Sequence, residues 1–487
     1  MSFWISYGLV VLAAVAGSPR WLRVAQREHY LAGSVTRFAA RWYRSTPANA
    51  ALFAAGFIAA VVSARVSVTI VVTAAVVALA PLGLSLSGRT SPLAWTRRMR
   101  TVAVVAAVLA AAGWAGTVLG AGHWIGLMVA GVVAMGLPLV VDAALFVTGP
   151  WEKFLARRYV AAATEKLRRV KPRVVAITGS YGKTSTKNYV AHLLGARFSV
   201  VASPASFNNM AGLSRAVNEK LSLGTDVFIA EMGTYGPGEI AALCGWMVPE
   251  VAVITAIGPV HLERMKSEEN ILACKREITS AAGAVVLNTD DPRLADLAGE
   301  LEAEGRVVRR AGAGSLPDVS LPEGVSATNA ACAVEVARLF GVEEAQIASR
   351  LETLPTVPNR RTSYLSEAGF TVVDDTYNSN PAGCRAALAL LDASGTPGGG
   401  KVVVTPGMVE LGSRQFGENA AFAAEAVGAG YRLVVVGRTN RAALLAGAAG
   451  TEVVTVATRE DAVAWVRANM GEGDAVLYEN DLPDHFP

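Results

Sequence analysis

Residues 174–187 read VVAITGSYGKTSTK. Gly179, Ser180, Tyr181, Gly182, Lys183, Thr184 and Ser185 supply what a phosphate site needs. Two glycines permit a tight turn and close backbone approach, a lysine reaches β- and γ-phosphates, and a hydroxyl suits Mg²⁺. The spacing is not that of the usual P-loop, which has four residues between its first glycine and the Gly-Lys pair. Counting back from Gly182 places Ile177 where that glycine would stand. A plain glycine turn is the alternative, and the flanks argue against it. Val174–Ile177 reads as a short buried strand and TSTKNYVAHLL as a helix. A strand, a glycine turn and a helix N-terminus aim several backbone N–H groups at one point, which favours an anion.

Two further residues sit where such a site would need them. DVFIAEMG (226–233) carries Glu231 just past an apolar run, and VAVITAIGPVHLERM (251–265) carries His261 shortly after another. Ligands bind at the carboxyl ends of strands in parallel sheets. There a carboxylate and an imidazole beside the Thr184 hydroxyl would suit Mg²⁺. Taken singly, each is equally compatible with an ordinary surface or core position.

These residues need a scaffold of parallel strands. Apolar strand-like runs recur at 174–177, 226–230, 251–256, 284–288, 371–373, 401–404, 431–436, 452–456 and 475–478, mostly separated by helix-like runs. Such alternation predicts an α/β fold with largely parallel sheets. Val357-Pro358-Asn359 marks a boundary, so that 174–356 forms a central ATP-binding domain and 357–487 a C-terminal, Rossmann-like one.

The first third of the chain is of another kind. Hydrophobic residues make up 52% of the sequence and mean hydropathy is +0.38, with the excess before residue 150. Residues 1–173 hold 19 Lys and Arg against 4 Asp and Glu, and 174–487 hold 25 against 36. The acidic second part is a poor match for nucleic acid. Apolar runs at roughly 3–18, 48–64, 67–86, 101–119 and 124–147 predict about five membrane helices within 1–150, although several are short for a hydrocarbon core. Arginines cluster between the first and second runs and between the third and fourth, and a basic linker, 151–173, follows the fifth. Positive charge marks the cytoplasmic side. The expectation is a multi-pass plasma-membrane protein with its N-terminus outside, its catalytic domains cytoplasmic and membrane lipids as partners. Asp142, near the basic end of the last run, reads most plainly as a carboxylate that reaches the interface or meets Trp151 and Lys153. Cys244, Cys274, Cys332 and Cys384 show no pairing or metal spacing and read as reduced core residues.

TGSYGKTS, FNNMAGLSRAV, FIAEMGTYGPGEI, AVITAIGPVHLERMKSEENILACKREI, VVLNTDDPR, DDTYNSNPAG and PGMVELG together resemble the Mur ligase family, most closely its branch that adds D-alanyl-D-alanine to a UDP-muramoyl tripeptide. The resemblance covers about 170–487 and implies an ATP-dependent amide ligase. ATP phosphorylates a carboxylate, and a small amino acid or dipeptide amine then displaces the phosphate. It implies that Lys183 and the 179–184 loop hold phosphates and that Thr184 and Glu231 bind one Mg²⁺. His261 resembles a ligand of a second Mg²⁺, and Lys275 falls where the family has a lysine carbamylated by CO₂. Asn329 resembles an adenine-side residue, Arg360 the arginine of the domain junction and Asp375 a ribose-binding carboxylate. Asn208 and Asn209, with Tyr377 and Asn378 of DDTYNSNP, resemble substrate-binding positions.

The departures fall on substrate recognition. Membrane spans stand where that branch has a UDP-gripping domain, the junction reads Pro358-Asn359-Arg360, no histidine follows ELG closely, and the chain ends LYENDLPDHFP. The carboxylate acceptor is therefore left open between UDP-linked and lipid-linked envelope precursors. Two rival readings stand beside this one: a capsule-type polyglutamate synthetase and a non-catalytic nucleotide-binding membrane scaffold.

Overall fold

A computed structural model describes residues 2–86, 92–120, 123–204, 207–260, 262–355, 362–376, 379–482 and 486. It divides into one unit of Met1–Leu155 with Leu482–Pro487, and another of Ala156–Asp481. The junction residues 356–361, His261 and the pair Tyr377 and Asn378 lie outside the described residues.

The first unit is helical: α1 (Phe3–Arg27), α2 (Ser34–Arg44), α3 (Pro47–Val62), α4 (Ile70–Leu79), α5 (Arg97–Gly120), α6 (His123–Met135) and the start of α7 (Leu137–Val170). Its core gathers Trp21, Trp42, Ile70, Met99 and Leu127. By length and composition two helices are apolar enough to cross a membrane, Phe3–Arg27 and Arg97–Ala115. The count rises to four if each of two bent pairs is one span. This differs from the five spans expected. The 67–86 run stops being helical at Leu79, two residues before Pro81, so Ser67–Leu79 is too short to span. The last expected span breaks at Gly136, one residue before Leu137-Pro138, and its halves meet at 70°.

Polar groups in this unit hold its loops. Arg20 is 3% exposed, donating from Nε to the Leu84 carbonyl at 3.0 Å and from Nη1 to that of Ala80 at 2.5 Å. Arg23 Nη2 donates to the Ser85 carbonyl at 2.7 Å. Asp142 does not turn to the interface or to Trp151 and Lys153. Its Oδ1 accepts from the N–H groups of Gly33 at 2.8 Å and Val35 at 3.3 Å, and its Oδ2 from Thr36 at 2.8 Å. Gly33, the residue before α2, has no side chain to cap the helix. A carboxylate from α7 takes that role and satisfies orphan donors that would otherwise be buried.

The second unit contains two sheets. The first orders its six strands β2-β3-β1-β4-β5-β6: β1 (Arg173–Thr178), β2 (Val200–Ala202), β3 (Val227–Glu231), β4 (Val251–Ile254), β5 (Ala284–Asn288) and β6 (Val307–Ala311). All its pairings are parallel. β1, β3 and β4 are buried almost throughout, as strands covered by helices on both faces must be. The second sheet runs β11-β10-β9-β12-β8-β7, with β7 (Thr362–Leu365), β8 (Thr371–Asp375), β9 (Lys401–Thr405), β10 (Arg432–Val436), β11 (Val453–Val456) and β12 (Ala475–Glu479). Only β7 is antiparallel, on β8 at the edge. In register, Ile177 lies beside Glu231 and Glu479 beside Asp375, so the acidic residues collect at strand carboxyl ends.

The Asp142 cap gives a first prediction. Asp142→Ala leaves three N–H groups without their acceptor and should cost about 1–2 kcal/mol. Asp142→Asn, which keeps an acceptor, should cost less. Thermal melts of the detergent-solubilised chain test this ordering, and equal midpoints for wild type and the alanine variant would refute the capping role.

Candidate functional site

The site is built from the turn between β1 and the helix Lys183–Leu194. Gly179 has φ +153° and Gly182 φ +78°. A Cβ at Gly182 would lie 2.3 Å from Asn329 Oδ1, and one at Gly179 would lie 2.0 Å from Thr255 Oγ1. Glycine is thus required at both positions, by backbone conformation and by close neighbours. The second contact places Thr255 over the turn. The first places Asn329, from the helix Ala327–Leu339, directly against it. The turn is laced to the segment after β4: the Ser180 N–H donates to the Ala256 carbonyl at 2.8 Å, and the Ser180 hydroxyl to that of Gly258 at 3.1 Å. The Thr255 hydroxyl also donates to the Tyr181 carbonyl. Gly182 offers the following helix no side-chain cap, which leaves the N-terminus of that helix suited to an anion. Lys183 Nζ lies over the turn, 2.7 Å from the Gly179 carbonyl.

Glu231, at the end of β3, is the electrostatic centre. Its Oε2 accepts from the Thr184 hydroxyl at 3.0 Å and from Lys187 Nζ at 3.0 Å. The carboxylate and ammonium are only 5% and 3% exposed. Burial pushes the Glu231 carboxyl up, but Lys187, Lys183 and the two hydrogen bonds outweigh it and hold the group below the usual carboxylate range. The Ser203 hydroxyl fixes the Glu231 backbone by accepting its N–H at 3.1 Å. Sequence reasoning missed Lys187. Its signal was present in GKTSTK, where a lysine four residues after Lys183 must fall on the same helix face.

Lys275, on the helix Glu268–Ala281, is 4% exposed. Among the described residues no hydrogen bond or ion pair holds it. Burial and the nearby Lys183 cation push its ammonium well below the ordinary lysine range. Asn208 packs against Gly233, two residues beyond Glu231, and its carbonyl accepts the Gly233 N–H at 2.8 Å. Asn209 is a helix cap, its Oδ1 accepting from Gly212 N at 2.9 Å. Asp375 ends β8 in the other sheet, beside Glu479. His261, Arg360, Tyr377 and Asn378 lie outside the described residues.

Whether these groups suit a metal follows from their chemistry. Among the described residues no three His, Cys, Asp or Glu side chains cluster as a metal cage. Mg²⁺ seldom uses one, since it takes one or two protein oxygens and completes its shell with phosphate oxygens and water. The Thr184 hydroxyl and Glu231 carboxylate are hard oxygen donors 3.0 Å apart, beside the phosphate turn. They fit Mg²⁺. Lys275 as a free amine does not, and would do so only as a carbamate anion.

Two more groups frame the site. Arg293 donates to the Ile257 carbonyl at 2.7 Å and pairs with Asp291 at 3.0 Å. It also pairs with Glu268, whose other oxygen pairs with Arg414 of the second sheet's domain. The Leu262 N–H donates to the Glu410 carbonyl at 3.0 Å, again joining the two domains. In the second sheet, Glu479 is fully buried and accepts from the hydroxyls of Ser379 and Thr405 and from Cys384 Sγ.

A glycine turn opening a helix, a buried carboxylate beside the Thr184 hydroxyl, and a second α/β domain linked through Leu262–Glu410 and Glu268–Arg414 are the arrangement of a two-domain enzyme suited to a nucleotide. Residues 177–348 match the Mur ligase middle domain, and residues 360–478 the Mur ligase, glutamate ligase domain. The UDP-N-acetylmuramoyl-tripeptide–D-alanyl-D-alanine ligase of Mycobacterium leprae is 35% identical over 364 residues, which cover 62% of this chain and 70% of that protein. That of Bacillus subtilis is 30% identical over 268 residues, 49% of this chain and 57% of its own. Among solved structures, the MurF ligase of Thermotoga maritima in complex with ADP has a TM-score of 0.58 at 26% identity, covering 67% of this chain and 80% of its own. MurF of Acinetobacter baumannii shares the fold, with a TM-score of 0.58 at 21% identity over 67% of this chain and 77% of its own. The chain belongs to the Mur ligase family. It is an ATP- and Mg²⁺-dependent, amide-forming ligase of the MurF-like kind.

Two predictions rest on these charges. Lys187→Ala strands the buried Glu231 carboxylate and should destabilise the protein by about 3–5 kcal/mol. Glu231→Gln in the same background should restore part of that. Urea melts of the two variants check the sign. Glu479 behaves differently, because burial raises its carboxyl above the usual range and the Ser379, Thr405 and Cys384 donors do not offset this. A raised carboxyl pKa favours folding below the ordinary carboxylate range, and that gain is lost as pH rises through the folded-state value. Glu479→Gln, neutral throughout, should therefore melt with wild type near about pH 4 and above it near about pH 8. A constant gap across that range would contradict the assignment.

Proposed function

We propose that this chain joins the carboxylate of a cell-envelope peptide precursor to the amine of a small amino acid or dipeptide, in peptidoglycan synthesis. The observation that carries the reading is the Thr184–Glu231–Lys187 group beside the phosphate turn, with the buried Lys275 in electrostatic reach of Lys183. The relatives named above act on a UDP-N-acetylmuramoyl tripeptide and D-alanyl-D-alanine, which makes these the first substrates to try.

In this reading Lys183 and the turn N–H groups of 179–185 hold the β- and γ-phosphates, and Asn329 borders the nucleotide. Thr184 and Glu231 would hold one Mg²⁺, whose charge would offset that developing on the phosphoryl group. Lys187 keeps Glu231 ionised and aimed. His261 and Lys275 would hold a second Mg²⁺ if Lys275 were carbamylated, because addition of CO₂ to its amine, with loss of a proton, would replace a cation by an oxygen ligand. Arg360 and Asp375 reach ATP from the C-terminal domain, while Asn208, Asn209, Tyr377 and Asn378 meet the other substrates. The chemistry balances simply. An oxygen of the acceptor carboxylate takes the γ-phosphoryl group as ADP leaves. The amine nitrogen then attacks the acyl carbon, loses a proton and expels inorganic phosphate.

The membrane reading concerns where this happens. Phe3–Arg27 and Arg97–Ala115 are long and apolar enough to span a bilayer. A lipid-linked acceptor would gain effective concentration by confinement to the same surface, whereas a soluble UDP-linked one would gain little.

The test is phosphate release by the full chain in detergent and in vesicles, with UDP-linked or lipid-linked tripeptide and with D-alanyl-D-alanine or glutamate as amine. Release should need both substrates and be lost in Lys183→Ala. Preference for the soluble acceptor in both preparations would remove the lipid-linked assignment, preference for glutamate would favour a polyglutamate synthetase, and no amine-dependent release would leave a binding scaffold. For Lys275, alanine substitution should abolish turnover and short carboxylates such as formate should restore part of it. An active enzyme whose Lys275 is unmodified under ample bicarbonate, by mass spectrometry, would contradict carbamylation.

A further inference from the structure

Several basic residues of the first unit are spent on its own structure. Arg20 and Arg23 donate to backbone carbonyls, and Arg98 stacks on the Tyr30 ring at 4.2 Å and lies 3.8 Å from Glu152. Arg97 and Arg100 differ. Both are exposed, and among the described residues neither guanidinium has an ion pair or hydrogen-bond acceptor. With Trp95, Thr101, Val104 and Val105 they are the described residues that line an open groove of about 530 Å³.

Three features of this groove point the same way. Arg97, Arg98 and Arg100 crowd the first turn of α5, which holds no acidic residue. Cations there oppose the helix dipole, and an anion between Arg97 and Arg100 would relieve both repulsions. The groove changes from polar to apolar along the helix, and beyond it Val104, Val108 and Leu109 are 63%, 61% and 36% exposed. That stripe belongs to Arg97–Ala115, one of the two helices long enough to span a bilayer. Finally Trp95, 51% exposed, stands at the polar end, where an amphipathic indole meets lipid headgroups.

We propose that this groove binds the phosphate headgroup of a membrane lipid, Arg97 and Arg100 clamping its oxygens and the acyl or isoprenyl chain running along Val104 and Val108. The proposal rests on the membrane reading above. It deepens that reading by naming the headgroup chemistry, a phosphodiester of an ordinary phospholipid or a diphosphate of an isoprenoid carrier.

The experiment uses the full chain in non-ionic detergent and counts bound lipid by native mass spectrometry against phosphatidylglycerol, undecaprenyl diphosphate and phosphatidylcholine. Wild type should favour the two anionic lipids over phosphatidylcholine by about tenfold or more. Arg97→Gln with Arg100→Gln should fall to the phosphatidylcholine level. Val104→Trp, which blocks the groove without removing charge, should weaken anionic-lipid binding in a protein whose arginines remain. Equal retention of both anionic lipids would assign a general phospholipid site, and preference for the diphosphate an isoprenoid carrier site. An unchanged preference in both variants, or none in wild type, overturns the proposal. Carbonate extraction of the expressed chain separates the two failures. A chain that stays in the membrane without lipid preference refutes the groove alone, whereas one that is released refutes the membrane reading and the groove with it.

Discussion

A carboxylate buried at the end of a parallel strand must be compensated, and the nucleotide domain is arranged around that requirement. Glu231 is held by the Lys187 ammonium and the Thr184 hydroxyl, both from the helix that follows the phosphate turn. That one contact fixes the helix against β3, and the helix fixes the turn. The turn is tied in its own right to the 255–258 segment through Ser180 and Thr255. Parallel strands make the arrangement possible, because they bring β1, β3 and β4 to a common carboxyl edge. Lys187 thus bears on the glycine turn through Glu231, the carboxylate it shares with the Thr184 hydroxyl.

Much of this was legible in the sequence. All nine strand-like runs are strands, because each is a compact apolar segment bounded by turn residues; eight lie inside a sheet, and β11 keeps its apolar run although it stands at an edge. The three strands missed are edges or short. β2 has three residues, β6 reads Val307-Val308-Arg309-Arg310-Ala311 with its arginines exposed, and β7 pairs on one side only. Edge strands are commonly short and charged, and they carry no apolar run to recognise. The glycine turn and the strand-end place of Glu231 were legible by type and position. The Glu268–Arg293 and Glu268–Arg414 pairs and the Glu479 cluster were not, since they join residues 25 to 146 positions apart and depend on which strand ends become neighbours.

The first unit shows the limits of reading hydropathy alone. Apolar runs located the long helices but neither α2 nor the breaks at Gly136 and Pro81. Charge misled in a more instructive way. Asp142 looked like a carboxylate seeking the interface. In the structure it meets three backbone N–H groups at the start of a helix 106 residues or more away in sequence. A helix opening on a glycine needs an acceptor from elsewhere, and the need is visible only once the two helices are neighbours.

The contact between the two α/β domains has a further physical meaning. Glu268 divides its two oxygens between Arg293 of its own domain and Arg414 of the other. The two arginines are 40% and 51% exposed, so water and ions compete for both contacts. Exposed pairs of this kind contribute roughly 0–1 kcal/mol, comparable to thermal energy. A contact held so lightly can part and re-form at little cost. A ligand that touched both domains would need only a small differential affinity to tip that balance, and its release would give the balance back.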